Sequence, residues 1–205
     1  MTNVLNKKQQ ALWPLLLKFK NGYGLVGGTA IALQLQHRRS IDFDLFSVKK
    51  IDRAMIRRHI VSLGFKIEQV LVDTPEEYTT IVNGVKLTFL HYPFSIKFTI
   101  TYQGLPLADL ETLAAMKAYA LGRRAKWKDY VDILFIANHF DGLLPIVKAA
   151  KKIFASEFNE KIFREQLAYF KDIDYSEEIE YLPGQALSDL LVKKSLQKLA
   201  ITTIK

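Results

Sequence analysis

The spacing of apolar residues changes near Pro106, and this change constrains the fold more than any other feature of the sequence. Before it, runs such as residues 85–91 alternate polar and apolar side chains, which is typical of half-buried β-strands. After it, segments such as residues 108–121 place apolar residues three or four positions apart, which is typical of helices. We therefore expect an α+β domain over residues 1–105 and a helical domain over residues 106–205.

A β-hairpin is predicted inside the first of these domains. Asn83-Gly84 separates two alternating runs that are rich in β-branched residues, and this dipeptide favours the tight turn that joins antiparallel strands. A run with helical spacing, residues 51–63, precedes the hairpin and is followed by Gly64. The first domain therefore combines strands with at least one helix.

The composition limits the possible functions before any motif is considered. The chain is 49% hydrophobic and 24% charged, which suits a sizeable core, and it has no apolar run of the roughly 18 residues that a membrane span needs. It has no cysteine, which excludes disulfides, thiol catalysis and the commoner structural zinc sites. The N-terminal residues are too polar for a secretory signal, so we expect a cytoplasmic protein that does not bind a membrane.

The chain is basic, with 29 Lys and Arg against 21 Asp and Glu and a formal charge of +8. A basic surface attracts phosphate backbones and gains free energy from counterion release, so a polyanionic partner is expected. The alternative is a basic protein with no acidic partner, since many basic proteins bind nothing acidic.

Two adjacent glycines follow a short apolar strand and precede a segment with helical spacing. Gly27 and Gly28 have no side chain, so their N–H groups can approach an anion closely, and Thr29 can cap the helix that follows. The N-terminus of a helix also favours phosphate through its dipole. The alternative is an ordinary tight turn between strand and helix. On the first interpretation, these three residues bind the phosphates of a nucleotide.

Two aspartates separated by one residue follow this segment. Asp42 and Asp44 lie in a run that alternates like a strand, so both carboxylates leave the same face while Phe43 and Leu45 pack behind them. Such carboxylates repel each other unless a cation lies between them, and Mg²⁺ fits because it prefers oxygen ligands and shares its coordination with substrate phosphates. The alternative is a solvated strand end with two acids. Together with the glycines, the pair predicts a nucleoside triphosphate (NTP) site with Asp42 and Asp44 as catalytic metal ligands.

The segment from Gly27 to Ser47 resembles the signature of the AbiEii/AbiGii abortive-infection toxins, a family with the nucleotidyltransferase fold. The matching positions are Gly27, Gly28, Thr29, His37, Arg38, Ser40, Asp42, Asp44, Leu45 and Phe46. Residues 114–133 and 167–174 are similar to two later segments of that family. The resemblance implies a small mixed sheet flanked by helices, followed by a helical part that completes the active-site cleft. It also implies the toxin of a toxin–antitoxin or phage-defence system, with a cognate antitoxin.

A basic segment in the helical part is expected to contribute to phosphate binding. Lys117, Arg124 and Lys128 lie seven and then four residues apart, which places them on one stripe if a single helix runs through them. Alternatively, Gly122 ends one helix and a second helix begins after it. In either case we expect these residues and Arg38 to neutralise charge as pyrophosphate leaves.

The resemblance places Lys117, Asp129 and Asp132 in the second half of the site. We expect Lys117 and Asp129 to be catalytic, although Asp129 could either orient the lysine or take a proton. Asp132 is equally plausible as a helix-surface partner of Lys128. His37 either contacts phosphate or packs at a helix end.

Enzymes with a fold of this kind generally use a third carboxylate. The strand expected to carry it has none in this sequence. That acid helps hold a second metal and activates the attacking hydroxyl, and the aligned position here is Thr88 or a neighbour. No Asp or Glu occurs from Val85 to Gln103. Either another acid such as Asp129 substitutes, or the substrate activates itself, or activity is lost. We expect the first, because the other motifs are intact.

The function that combines these features is Mg²⁺-dependent transfer of a nucleoside monophosphate from an NTP to an acceptor hydroxyl. The resemblance suggests an RNA acceptor, with tRNA as the leading candidate, or else a protein side chain. Two other functions stay open: a catalytically inactive nucleotide- or RNA-binding module of the same fold, and a nucleotidyltransferase that modifies a small molecule. The basic charge argues mildly against the small-molecule enzyme.

Overall fold

The computed structural model describes residues 4–121 and 123–202, so the predicted helix end at Gly122 lies outside the described residues. In this part of the chain, no single helix is long and apolar enough to cross a membrane. The segments Trp127–His139 and Leu144–Glu157 meet that length and composition only when they are taken together, across a bend of 115°.

The chain divides into two compact units. The first consists of the residues up to Leu33 together with Arg39–Asp109. The second consists of Gln34–Arg38 together with the chain from Leu110 onward. The short segment Gln34–Arg38 thus belongs with residues that follow it by more than seventy positions, a connection that the apolar pattern does not predict.

The first unit is built on one mixed sheet. Its strands, within the described residues, are β1 (Gly24–Val26), β2 (Phe43–Ser47), β3 (Ile67–Asp73), β4 (Glu77–Val82), β5 (Val85–His91), β6 (Ile100–Tyr102) and β7 (Leu105–Leu107). Their order across the sheet is β3-β4-β5-β2-β1-β7-β6. β2 runs parallel to β5 and β1 parallel to β7, whereas the other neighbouring pairs are antiparallel. The predicted mixed sheet is confirmed.

β4 and β5 form the predicted hairpin. Val82 pairs with Val85, and Asn83 and Gly84 between them have positive φ angles of 53° and 69°. Asn and Gly adopt this left-handed backbone more readily than other residues, which is why the dipeptide supports a tight turn.

The helices of the first unit begin with clear local signals. They are α1 (Lys7–Leu16), α2 (Gly27–Leu35), whose last residues belong to the second unit, and α3 (Arg53–Ser62). The Asn6 side chain caps α1 by accepting a hydrogen bond from the N–H of Gln9, whose side chain accepts one from the N–H of Asn6. α2 begins at Gly27, directly after β1, so both glycines lie in the first turn of the helix.

The strand register creates a polar row on one face of the sheet. In β2 the side chains of Phe43 and Leu45 are fully buried, whereas Asp44 between them is half-buried. Asp44 pairs with Thr88 of β5, and Thr88 pairs with Thr79 of β4. Paired residues on neighbouring strands point to the same face, so these three side chains form a row across three strands.

The second unit is helical in its described part, apart from isolated β-bridges. Its helices are α4 (Leu110–Leu121), α5 (Trp127–His139), α6 (Leu144–Phe154), α7 (Glu160–Ala168) and α8 (Asp189–Ile201). One bridge joins Arg38 to Tyr181, and the other joins Lys126 to Asp174. Among the described residues, all strands of the sheet precede α4, and the chain that follows is built of helices, so the predicted α+β class is confirmed.

Candidate active site

Gly27 brings the start of α2 into close contact with the side chain of Asp44. Its φ angle is +71°, which favours glycine, and a Cβ built on it would lie 2.1 Å from Oδ2 of Asp44. No side chain fits in that space, so only glycine allows the approach. The Asp44 carboxylate therefore lies against Gly27, as a joint phosphate and metal site at the start of α2 would require.

Gly28 and Thr29 follow in the first turn of α2. Gly28 is half-buried, and the first N–H groups of a helix have no acceptor within the helix, so this end of α2 can bind an anion. Thr29 is buried, and its hydroxyl donates a hydrogen bond to the backbone carbonyl of Asp42. The Thr29 side chain thus fixes the chain that enters β2, which differs from the predicted helix cap.

Asp42 lies just before β2 and faces a cation of the neighbouring strand. Oδ2 of Asp42 is 2.7 Å from Nζ of Lys86 in β5. Lys86 precedes Thr88 by two residues, and this spacing places both side chains on the face that carries Asp44. Lys86 is not among the residues predicted from the sequence, although its spacing from Thr88 was the signal available. The lysine offsets part of the repulsion between the two aspartates.

We define the sheet cluster as Gly27, Asp42, Asp44, Lys86 and Thr88. Among the described residues, no group of three or more His, Asp or Glu side chains could hold a metal ion. Mg²⁺ is nevertheless commonly bound by one or two carboxylates, with waters and substrate phosphates completing its octahedral coordination. The hard oxygen atoms of Asp42 and Asp44 therefore fit Mg²⁺ bound together with a nucleotide.

The second unit contains a buried network of charges. We define it as the ion cluster, composed of His37, Arg38, Lys117, Arg124, Asp129 and Asp132. Asp132 of α5 is fully buried, and its carboxylate accepts hydrogen bonds from Nε and Nη2 of Arg38 at 2.7 and 2.8 Å. It also lies 2.8 Å from Nε2 of His37 and 2.9 Å from Nζ of Lys117. The alternative that Asp132 is a surface partner of Lys128 is wrong.

Asp129, almost one turn earlier in α5, is the second buried carboxylate of the ion cluster. It pairs with Lys117 of α4 and accepts hydrogen bonds from Nε and Nη2 of Arg124 at 2.8 and 3.3 Å. Residues three apart share a helix face, so α5 presents Asp129 and Asp132 to the same lysine. Lys117 lies between them, and only 6% of it is exposed.

Burial and charge act in opposite directions in the ion cluster. Burial raises the pKa of Asp132, but the charges of Arg38 and Lys117 outweigh it and hold this pKa well below its ordinary value. Burial likewise lowers the pKa of Lys117, yet the carboxylates of Asp129 and Asp132 bring it above its ordinary value. At neutral pH Lys117 is therefore an ammonium group, which can supply positive charge and cannot act as a base.

The predicted stripe of Lys117, Arg124 and Lys128 does not form, because α4 and α5 are separate helices. Arg124 lies between them and turns to Asp129, whereas Lys128 forms an ion pair with Glu177. Of the two interpretations, that of one continuous helix is wrong, and that of two helices is correct.

Glu177 is a charged residue that the sequence analysis missed. Burial raises its pKa, but hydrogen bonds from Lys126 and Lys128 outweigh this effect and lower it to about 2. Nothing in the local sequence signals these contacts, since Glu177 lies 49 positions from Lys128. The two lysines are thus held by Glu177 rather than by the carboxylates of the ion cluster.

The two arginines predicted to bind phosphate differ in accessibility. Arg38 is 4% exposed, and its guanidinium group holds the carboxylate of Asp132. The side chain of Arg124 is 51% exposed, although it also contacts a carboxylate. Arg124 is therefore better placed than Arg38 to exchange its partner for a phosphate.

Comparison with known proteins identifies a family. The model of the family described as nucleotidyl transferase AbiEii toxin, type IV toxin–antitoxin system, matches residues 18–199. An uncharacterised protein of Aquifex aeolicus, aq_aa25, is 28% identical over 179 residues, which cover 84% of this chain and 85% of that protein.

Solved structures are similar in fold. JHP933 from Helicobacter pylori has a TM-score of 0.61 and 18% identity, with 96% of this chain and 91% of that chain covered. MenT4, a nucleotidyltransferase toxin from Mycobacterium tuberculosis, has a TM-score of 0.50 and 13% identity, with 93% and 81% covered. At these identities the likeness establishes the fold, and the predicted nucleotidyltransferase fold is confirmed.

Proposed function

We propose, from the premise that this chain belongs to the AbiEii nucleotidyl transferase toxin family, that it transfers a nucleoside monophosphate from an NTP to a hydroxyl group of RNA. Membership makes the chain a nucleotidyltransferase toxin of the type IV class, and it implies an NTP substrate and an antitoxin partner. RNA, with tRNA as the leading candidate, is favoured as acceptor because the chain carries a formal charge of +8. We further propose action in the cytoplasm, where NTPs and RNA occur together, as part of phage defence.

The close approach of Gly27 to Asp44 is the observation that supports this proposal. It brings the start of α2 beside Asp44 of β2 within one unit, so a polyphosphate bound at Gly27 and Gly28 would lie beside Asp44, with Asp42 two residues earlier in the chain. Asp42 and Asp44 would hold Mg²⁺, which when bound supplies positive charge against the phosphate oxygens.

The reaction forms one bond at the α-phosphorus and breaks another. The oxygen of the acceptor hydroxyl attacks the α-phosphorus, the bond to the bridging oxygen of the β-phosphate breaks, and pyrophosphate leaves with the electron pair. The start of α2 orients the phosphates for this displacement, because its N–H groups and dipole favour negative charge.

The roles that the resemblance implies for residues of the second unit remain predictions. For Lys117 and Asp129, burial and mutual ion pairing favour positioning of charge over direct proton transfer. Arg124 is the strongest candidate for phosphate binding because of its exposure. Lys128 keeps this predicted role only if it exchanges Glu177 for phosphate.

A transfer assay tests the proposed function. Purified protein is incubated with each α-³²P-labelled NTP, Mg²⁺ and total RNA, and label in RNA is measured. We expect transfer by the wild type, and at least a hundredfold loss in Asp44→Asn, because the amide keeps the shape but removes a metal-binding charge. Glu165→Gln is the matched control, since its side chain is 62% exposed and belongs to neither cluster.

The outcomes separate the candidate functions. RNA labelling that Asp44→Asn loses and Glu165→Gln keeps supports the proposal. Nucleotide or RNA binding without transfer by the wild type supports the inactive binding module, which the threonine at position 88 beside Asp44 makes the principal rival. Label found only on protein or on an added small molecule contradicts RNA as the acceptor.

A further inference from the structure

A chain of hydroxyl groups connects the sheet cluster to a carboxylate on β4. Thr88 of β5 lies between Asp44 and Thr79 in the strand register, and the Oγ1 atoms of Thr79 and Thr88 are 3.4 Å apart. The Thr79 hydroxyl donates to Oε1 of Glu77 at 2.7 Å. Glu77 and Thr79 are two residues apart on one strand, so both point to the face that carries Asp44.

The direction of these hydrogen bonds follows from the number of protons. A hydroxyl group has one proton to donate. The geometry lets the Thr79 hydroxyl donate to Thr88 at 3.4 Å or to Glu77 at 2.7 Å. When Thr79 gives its one proton to the closer Glu77, Thr88 becomes the donor to Thr79, and the hydrogen bonds run from Thr88 through Thr79 to Glu77. Thr79 is buried, so water has little access to the middle of this row.

The row of hydroxyl groups that starts at Thr88 ends in a carboxylate, that of Glu77, although β5 itself has none. The segment from Val85 to Gln103 lacks Asp and Glu, and threonine 88 is no general base at neutral pH. Glu77 lies on the next strand of the same sheet, two hydroxyl groups away. A carboxylate is thus connected to the position beside Asp44 without occupying it.

We propose that Glu77 accepts, through Thr79 and Thr88, the proton that the acceptor hydroxyl loses in nucleotide transfer. This inference rests on the proposed function. As the acceptor oxygen bonds to the α-phosphorus and pyrophosphate leaves, its proton passes to Oγ1 of Thr88. The proton of Thr88 passes to Thr79, and that of Thr79 to the Glu77 carboxylate, so each threonine ends as a neutral hydroxyl. Glu77 and Thr79 act through Thr88 and are positioning residues.

The alternative is a purely structural role in which the same contacts hold β4 against β5, and the two roles differ in what they predict for substitutions. A purely structural hydrogen bond survives in Glu77→Gln, because the amide oxygen still accepts from Thr79 while the side chain can no longer take a proton. A relay instead fails in Glu77→Gln and in Thr79→Val, and survives in Thr79→Ser.

The experiment measures kcat and KM for the NTP in the RNA-labelling assay. We expect Glu77→Gln and Thr79→Val to lower kcat by about 10²-fold with KM unchanged, and Thr79→Ser to keep wild-type kcat within about threefold. Glu76→Gln is the matched control, because it is the exposed neighbouring glutamate and is expected to change neither constant. Thermal unfolding of each variant verifies that it is folded.

A double variant completes the test. Thr88→Asp places a carboxylate directly beside Asp44, so kcat of Thr88→Asp combined with Glu77→Gln should equal that of Thr88→Asp alone. Wild-type transfer together with full kcat in folded Glu77→Gln overturns the relay and leaves the proposed function standing. Loss of kcat in Glu77→Gln but not in Thr79→Val also overturns it. A wild type that transfers no label overturns both.

Discussion

One methyl group separates alanine from glycine, and at position 27 the carboxylate of Asp44 occupies the space that this methyl group would need. Two independent features require glycine at position 27: the left-handed backbone conformation and the lack of space for a side chain beside Asp44. Residue 27 is thus where the proposed phosphate-binding end of α2 touches a proposed metal ligand, Asp44.

Gly27→Ala should therefore impair both stability and transfer. We expect a loss of about 1–2 kcal/mol in the free energy of unfolding from the left-handed backbone, and a fall of about 10²-fold in transfer because the methyl group displaces Asp44. Urea unfolding and the RNA-labelling assay measure the two effects.

Gly22→Ala is the control for this substitution. A Cβ at Gly22 meets nothing within 4 Å, so both quantities should stay near wild type. Wild-type transfer by Gly27→Ala would mean that the contact with Asp44 has no part in catalysis.

At the scale of elements, α5 carries both buried carboxylates of the ion cluster. Asp129 and Asp132 leave one face of this helix and hold Lys117 from α4 between them. His37 and Arg38 both contact Asp132, and the carbonyl of His37 accepts a hydrogen bond from the N–H of Leu182 at 3.1 Å. The buried carboxylate of Asp132 is thus contacted from α4, through Lys117, and from His37 and Arg38, the second of which forms the β-bridge to Tyr181.

Asp132→Asn tests this convergence through stability. Removing the carboxylate leaves Arg38 and Lys117 buried with fewer negative partners, and we expect a loss of about 3–5 kcal/mol in urea unfolding at neutral pH. Glu165→Gln, at an exposed ion pair, should lose less than about 1 kcal/mol.

The pH dependence of this loss has a definite sign. The folded-state pKa of Asp132 is lowered, so its ionised form stabilises the protein fully above the ordinary value of 3.8, and this stabilisation disappears as pH falls through the folded-state value. The difference between wild type and Asp132→Asn should stay constant from neutral pH to about pH 5 and shrink at more acidic pH. A difference that grows on acidification would contradict the assigned charge state.

At the scale of the whole molecule, the sequence predicts what is determined locally. The glycine pair and the aspartate pair belong to one short strand–helix–strand unit, so periodicity and residue chemistry suffice to place them. The turn at Asn83-Gly84 and the α+β class are local in the same sense. By contrast, the contacts of Arg38 with Asp132 and of Lys128 with Glu177 join residues 94 and 49 positions apart, and one sequence carries no local signal for them.

The basic stripe shows how a local rule fails. Spacings of seven and four residues place side chains on one face only while one helix continues, and here α4 spans Leu110–Leu121 and α5 begins at Trp127. The chain reversal sends Arg124 to Asp129 and leaves Lys128 with Glu177. Spacing predicts whether these basic residues share a helix face, and it does not predict which carboxylate each of them contacts.

A crystal structure with Mg²⁺ and a non-hydrolysable NTP analogue tests most directly whether the sheet cluster binds the triphosphate and its metal. We predict Mg²⁺ at about 2.0–2.1 Å from carboxylate oxygens of Asp42 and Asp44, with phosphate oxygens accepting hydrogen bonds from the N–H groups of Gly27 and Gly28. A triphosphate bound away from Gly27, with neither aspartate coordinating metal, would contradict the account.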